Sequence, residues 1–322
     1  MTATSERSSG SGAASGMTRA APRDHAGGAG GAGGAVRRPV RRGRATEPDA
    51  TRDATAEPRP PGPHTRRRSR GILEDLDSGK RRAATPDPTA PDGWRVDAGV
   101  REELLALFRD RTERSWLIGG LFGFRDRAGL PSKDLLAGDG WRIVPGGTSV
   151  RAGAYLGPGV TIMPPSYVNI GAWIGEGTMV DSHVLVGSCA QIGARVHLSA
   201  GVQVGGVLEP PNARPVIVED GAFVGAQCGL FEGVLVGRGA VLGAGVTLTG
   251  TSRLYDLVEE RVLAGTTDQP LAVPPGSVVI PGARALPGRF AAANGLSAAA
   301  ALIVKMRDES TSARVALEEA LR

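Results

Sequence analysis

The residues of this chain able to attack, titrate near neutrality or hold a metal are few, and their placement narrows what they do. Its 322 residues include two cysteines, Cys189 and Cys228, and four histidines, of which His183 and His197 fall in the patterned part of the sequence. A zinc site draws three or four ligands from Cys, His and carboxylates, and two histidines are too few unless another residue substitutes. Neither cysteine has a histidine at a spacing that argues for an activated thiolate, so both read as structural. Two cysteines give no disulfide framework and fit a reducing cytosol. That leaves carboxylates and guanidiniums. Asp181, in TMVD, occupies a chain reversal where Asp is favoured anyway, so a purely local role competes with a chemical one. Glu209, in GGVLEP, lies in a Pro-rich loop where carboxylates are ordinarily solvated.

The elements that must position these residues announce themselves by an aliphatic residue at every sixth position. The run is Val144, Val150, Leu156, Ile162, Val168, Ile174, Val180, Val186, Ile192, Leu198 and Val204; it returns at Val218, Val224, Leu230, Val236, Leu242 and Leu248, then at Val273 and Val279. A helix cannot hold a period of six on one face, and a flat strand wants a period of two. Hexads of this kind mark a parallel β-helix, a three-sided prism of stacked coils with eighteen residues to the coil. Four places after each aliphatic residue stands a small or β-branched one, such as Ala172, Thr178, Val184 or Cys228, which fills the inner corner. The place directly after the aliphatic residue is mostly Gly, otherwise Asn169, Asp181 or Ser199, and this is read as a corner that demands an unusual backbone conformation. Met163-Pro164-Pro165 breaks that rule and predicts a local irregularity. Users of this architecture are above all acyltransferases.

Composition divides the chain. With 48 glycines and 4% aromatic residues it builds a poor conventional core, although stacked aliphatic rows need little more. Residues 1–69 hold 13 Lys and Arg against 6 Asp and Glu, a net of +7, whereas the remainder carries −2, so the overall +5 belongs to the tail. That tail is Gly, Pro, Ser and Arg without Phe, Tyr or Trp, and is expected to be disordered. Its arginines attract phosphate by charge alone, and a nucleic-acid partner is not expected. It has no apolar core of a secretory signal, and no segment reaches the length of a membrane span; a cytoplasmic protein is expected. Residues 70–140 carry helical spacing (Leu104, Leu105, Leu107 and Phe108) and read as a small, mainly helical N-terminal domain. The β-helix is expected over 141–282, with polar excursions at 205–215 and at 251–270, the latter projecting as an arm. Residues 283–322 form a C-terminal strand and helix extension, with Leu317, Ala320 and Leu321 as the helix packing face. Flat sides and a threefold prism suggest a homotrimer.

The stretch from SYVNIGA through EGTMVD, VGSCAQIG, VHLS and GGVLEP to IVEDGAFVGA closely resembles the tetrahydrodipicolinate N-succinyltransferases, hexapeptide-repeat acyltransferases of the diaminopimelate route to lysine. LDSG (76–79), WRIVP (141–145), YDLV (255–258), VPPGSVV (273–279) and IVK (303–305) extend the resemblance from about residue 70 to the C-terminus. It implies a left-handed β-helix, a trimer with active sites between subunits, and transfer of succinyl from succinyl-CoA to the amino group of ring-opened 2-amino-6-oxopimelate. No tightly bound cofactor and no metal are implied; succinyl-CoA is a co-substrate. Two substrate-binding positions carry over, Arg142 in WRIVP and Asp181 in TMVD. A guanidinium grips a carboxylate through two parallel hydrogen bonds, and a carboxylate orients or deprotonates an amine. The resemblance also lifts Glu209 to a catalytic candidate. Many members read GARSEVVEG where this chain reads GAQCGLFEG (225–233), so the Glu placed near the substrate amine in those members is Gly229 here. Glu232 or Glu209 compensates, or Asp181 alone handles the amine. For CoA, the resemblance implies a groove along the C-terminal coils, with pantetheine against the Gly-rich turns and backbone N–H groups near the thioester oxygen. Arg253, Arg284 and Lys305 are candidates for its phosphates by position.

Three rival readings stand beside this one. Another CoA-dependent N- or O-acyltransferase of the hexapeptide class ordinarily uses a catalytic histidine in the coils. His183 and His197, fourteen residues apart, are not a whole number of coils from each other and are not expected to stack. A β-helix carbonic anhydrase needs three zinc-binding histidines converging between subunits. A non-enzymatic scaffold is the third, since fold does not dictate activity.

Overall fold

The computed structural model describes residues 71–118, 120, 122–136, 140–208 and 214–311, all within one compact unit spanning 57–322. The 1–69 tail, Glu209 and the C-terminal helix face at Leu317, Ala320 and Leu321 lie outside the described residues.

The hexads fold as two-residue strands on three faces. The first face stacks Tyr155–Leu156, Trp173–Ile174, Gln191–Ile192, Ile217–Val218, Leu235–Val236 and Ala272–Val273. The second stacks Ser149–Val150, Tyr167–Val168, Leu185–Val186, Gln203–Val204, Gly229–Leu230 and Thr247–Leu248. The third runs Arg142–Ile143, Thr161–Ile162, Met179–Val180, His197–Leu198, Phe223–Val224, Val241–Leu242 and Ser277–Ala285. Every rung between coils is parallel, and the aliphatic residue of each hexad sits over its counterpart one coil away, as Ile174 over Ile192 and Val180 over Leu198. These residues form one buried column from Val150 to Val279 with the small residues of the second beat, Ala172, Val184 and Cys228 among them. The chain keeps its six-residue step through Met163-Pro164-Pro165, where the Pro164-Pro165 bond is cis.

One expectation needs correction. The left-handed backbone conformation falls three places after the aliphatic residue, at Gly153, Gly171 and Gly201, and also at His183 (φ 61°), Cys189 (φ 61°), Arg195 (φ 52°) and Gln227 (φ 60°). The Gly directly after the aliphatic residue answers a different need. A Cβ on Gly187 would stand 2.3 Å from the Gly206 amide nitrogen, so successive coils approach too closely there for any side chain.

Within 70–140 the described residues form a helix over 71–77 and another at Ala98–Arg109, with two antiparallel strand pairs beside them. Asp97 caps the second helix by accepting from the Gly99 amide at 3.0 Å. Val100 and Leu104 turn inward from it, while Phe108 is exposed. This region is pinned to the first face by Arg82, whose guanidinium lies 3.9 Å over the Trp173 ring and donates to Gln191 Oε1 at 2.9 Å. Burial there pulls the Arg82 pKa down to about 10.

The 251–270 excursion is a hairpin of Arg253–Asp256 and Arg261–Ala264. Its first strand pairs in parallel with Ser297–Met306, which in turn lies antiparallel on Ser277–Ala285. The hairpin is thus part of the third face, not a free arm. The chain is helical again at 309–311.

Candidate active site

The third face carries a groove of about 820 Å³, lined by three columns of residues one coil apart. Outward-facing strand positions supply Arg142, Met179, His197, Phe223 and Val241; the corner positions supply Met163, Asp181, Ser199, Gly225 and Gly243; Ala200, Ala226 and Ala244 follow. The groove is therefore polar at the early coils, with Arg142 and Asp181, and nearly free of polar side chains at the late ones.

Arg142 is exposed on the first strand of this face, its backbone amide donating to Val160 O at 2.8 Å. Asp181 is half-buried. One oxygen, Oδ1, accepts from the Ser182 amide at 2.7 Å, which fixes the carboxylate at the corner. The local role open to an Asp at this position is thus real, and it orients the side chain that lines the groove. Among the described residues Asp181 is the one acid in that lining.

The other sequence candidates fall elsewhere. Glu232 reaches back to the next coil, where Oε2 accepts from the Gly250 amide at 3.1 Å. Gly229 is on the second face, and a Cβ there would meet the Phe231 ring at 2.6 Å, so the aromatic ring occupies the space a Glu would need. Arg253 and Lys305 sit on strands that prolong the third face, and Arg284 on Ser277–Ala285; none of the three lines the groove. Lys305 already pairs with Asp308 at 2.6 Å and, with nearby hydroxyls and an amide, holds that carboxyl far below the usual range.

His183 and His197 do not stack. His183 is at a left-handed turn, whereas His197 lies in the groove, 8% exposed, with its ring parallel to Phe223 at 4.8 Å. Sequence reasoning passed over His197 and Ser199 as site residues. The signal was there: His197 is eighteen residues after Met179, and Ser199 eighteen after Asp181, which makes them next-coil neighbours of the site. Cys189 is buried at a left-handed turn and desolvation pushes its thiol up to about 12; Cys228 points inward, donates to Gly243 O at 3.1 Å, and is pushed up to about 11. Neither is an activated nucleophile. Among the described residues no three His, Cys, Asp or Glu side chains are grouped to hold a metal ion, and no helix is long and apolar enough to cross a membrane.

The late-coil corners have a backbone feature of their own. At the Asp181 corner the side chain takes up the next amide, that of Ser182, whereas the Glu219 side chain accepts from the Arg238 amide one coil on. At Ala226 and Ala244 the preceding residue is glycine, which has no side chain to do so.

A family model described as the hexapeptide repeat of succinyl-transferase matches residues 215–250, within the late coils, and the architecture is that of a left-handed parallel β-helix. A 2,3,4,5-tetrahydropyridine-2,6-dicarboxylate N-succinyltransferase from Idiomarina loihiensis is 42% identical over 258 residues, covering 79% of this chain and 88% of the relative. Those of Polynucleobacter asymbioticus (43% over 258 residues) and Parvibaculum lavamentivorans (43% over 262) each cover 78% of this chain and 87% of the relative. With identity of this order across most of both chains, this protein belongs to the 2,3,4,5-tetrahydropyridine-2,6-dicarboxylate N-succinyltransferase family.

Proposed function

We propose that the third-face groove transfers a succinyl group from succinyl-CoA to the amine of ring-opened tetrahydrodipicolinate, 2-amino-6-oxopimelate, a step of diaminopimelate and lysine synthesis. The observation that carries this is the division of one groove into an Arg142–Asp181 end and a glycine- and alanine-lined end. The polar end suits a dicarboxylate bearing an ammonium group. Arg142 holds a carboxylate in its planar fork, and Asp181, fixed through Oδ1, orients the ammonium and accepts a proton from it. The freed nitrogen lone pair attacks the thioester carbonyl, the new C–N bond forms, and the carbonyl electrons move to oxygen. Collapse restores the carbonyl and breaks the C–S bond. The nitrogen, still carrying two hydrogens after attack, gives its second proton to the departing CoA thiolate, and the proton first taken by Asp181 passes to solvent. The bare end suits pantetheine, with the Ala226 and Ala244 amides as donors to it and to the developing oxyanion. Arg253, Arg284 and Lys305, on the same sheet beyond that end, supply positive charge for the CoA phosphates.

The enzyme works as a cytoplasmic homotrimer without a resident metal or cofactor, and a neighbouring subunit closes the groove. Glu209 is a second candidate acid from the first excursion. Mixing the protein with succinyl-CoA and 2-aminopimelate, a stable acceptor analogue, tests the reading. Thiol release that needs both substrates, with N-succinyl-aminopimelate formed, is expected. Release without acceptor, or none at all, would overturn it.

A further inference from the structure

The acceptor carries two carboxylates, and among the described residues the groove offers one guanidinium, that of Arg142. Its seven-carbon chain spans about 7–8 Å, from six carbon–carbon bonds of about 1.5 Å. Arg142 and Met179 are two rungs apart on the third face, about 9–10 Å at the usual strand spacing. An acceptor with its remote carboxylate on the long Arg142 side chain therefore brings its amine to Asp181. The second carboxylate is attached to the carbon that bears the amine, so it lies within about 3 Å of the nitrogen, on the scale of two bonds. The side toward Arg142 is filled by the acceptor's own chain. The next coil on the other side presents His197 and Ser199, each 8% exposed, with Ser199 directly after the residue whose carbonyl receives the Asp181 amide at 2.9 Å. Beyond them the described lining is Gly, Ala, Val, Leu and Phe, without a side-chain donor. Stacking on Phe223 fixes the plane of the imidazole.

Resting on the succinyl-transfer reading, we infer that His197 and Ser199 form the seat of the acceptor carboxylate adjacent to the reacting amine. They are specificity-determining residues: an imidazole N–H and a hydroxyl donate to that carboxylate and so set the nitrogen against the incoming thioester. The polar side chain that interrupts an otherwise apolar column of Met179, Phe223 and Val241 thereby has a use.

The test compares 2-aminopimelate with 6-aminohexanoate, which keeps the remote carboxylate and the amine and lacks the adjacent carboxylate. Wild-type enzyme should prefer aminopimelate in kcat/KM. In His197→Leu and in Ser199→Ala that preference should shrink about tenfold to a hundredfold, the range for a hydrogen bond to a charged group. Activity on aminohexanoate should hardly change. Ser199→Ala keeps the corner and serves if the leucine variant does not fold. A preference unchanged in soluble, assembled variants would overturn the inference. So would variants that instead lose discrimination between succinyl-CoA and acetyl-CoA, since the pair would then serve the donor carboxylate. A wild-type enzyme that succinylates neither amine would show that the functional reading itself is wrong.

Discussion

Arg142 and Asp181 divide the acceptor between them, and each is open to a separate measurement. If Arg142 grips a carboxylate in ground state and transition state alike, Arg142→Ala should raise the acceptor KM and leave kcat and the succinyl-CoA KM nearly unchanged. The cysteines make a complementary prediction. Burial raises the folded-state pKa of Cys189 from 9.0 to about 12, so its contribution to stability is intact below pH 9.0 and is lost as pH climbs toward about 12. Melting temperatures of Cys189→Ala should accordingly fall less steeply than wild type across that window, with catalysis unaffected at neutral pH. At this scale the sequence was only partly legible. Asp181 and Arg142 were identified through resemblance, and the structure lines one groove with both. Glu232 was a fair candidate by type, but its carboxylate is engaged with the Gly250 amide, a contact between coils that no local pattern reveals.

At the scale of the element, the hexad translates almost directly into structure, because an eighteen-residue coil places each aliphatic side chain over the next. What the pattern hid was the difference between two kinds of glycine. Both recur every six residues, yet one is required by backbone conformation and the other by the approach of the next coil. The two should differ in cost. Gly245 has φ +77° and open space around it, so Gly245→Ala should cost only about 1–2 kcal/mol of left-handed strain. Gly187→Ala drives a methyl into the Gly206 amide and should cost upwards of about 3 kcal/mol, since backbone cannot move aside as a side chain can. Thermal melting of the two variants ranks them; equal losses would refute the distinction. The hairpin at 251–270 was legible as an interruption, but its pairing with Ser297–Met306 depends on residues more than forty positions away, which spacing alone does not encode.

At the scale of the whole molecule, a single face gathers the chemistry from coils spread between Arg142 and Ala244. The first face serves attachment, receiving the N-terminal region through Arg82 and Trp173. The protein should elute in light scattering at three times the 33.1 kDa chain mass, and turnover should survive a chelator. A monomer with full activity would contradict the closure of the groove by a neighbouring subunit. The central claim is that Asp181 handles the amine at the polar end of this groove, and kcat of Asp181→Asn with saturating succinyl-CoA and 2-aminopimelate tests it most directly. The amide is isosteric and can still accept from the Ser182 amide, so a folded enzyme slower by about a hundredfold or more is predicted. A near-wild-type kcat would show Asp181 to be a corner of the β-helix and nothing more.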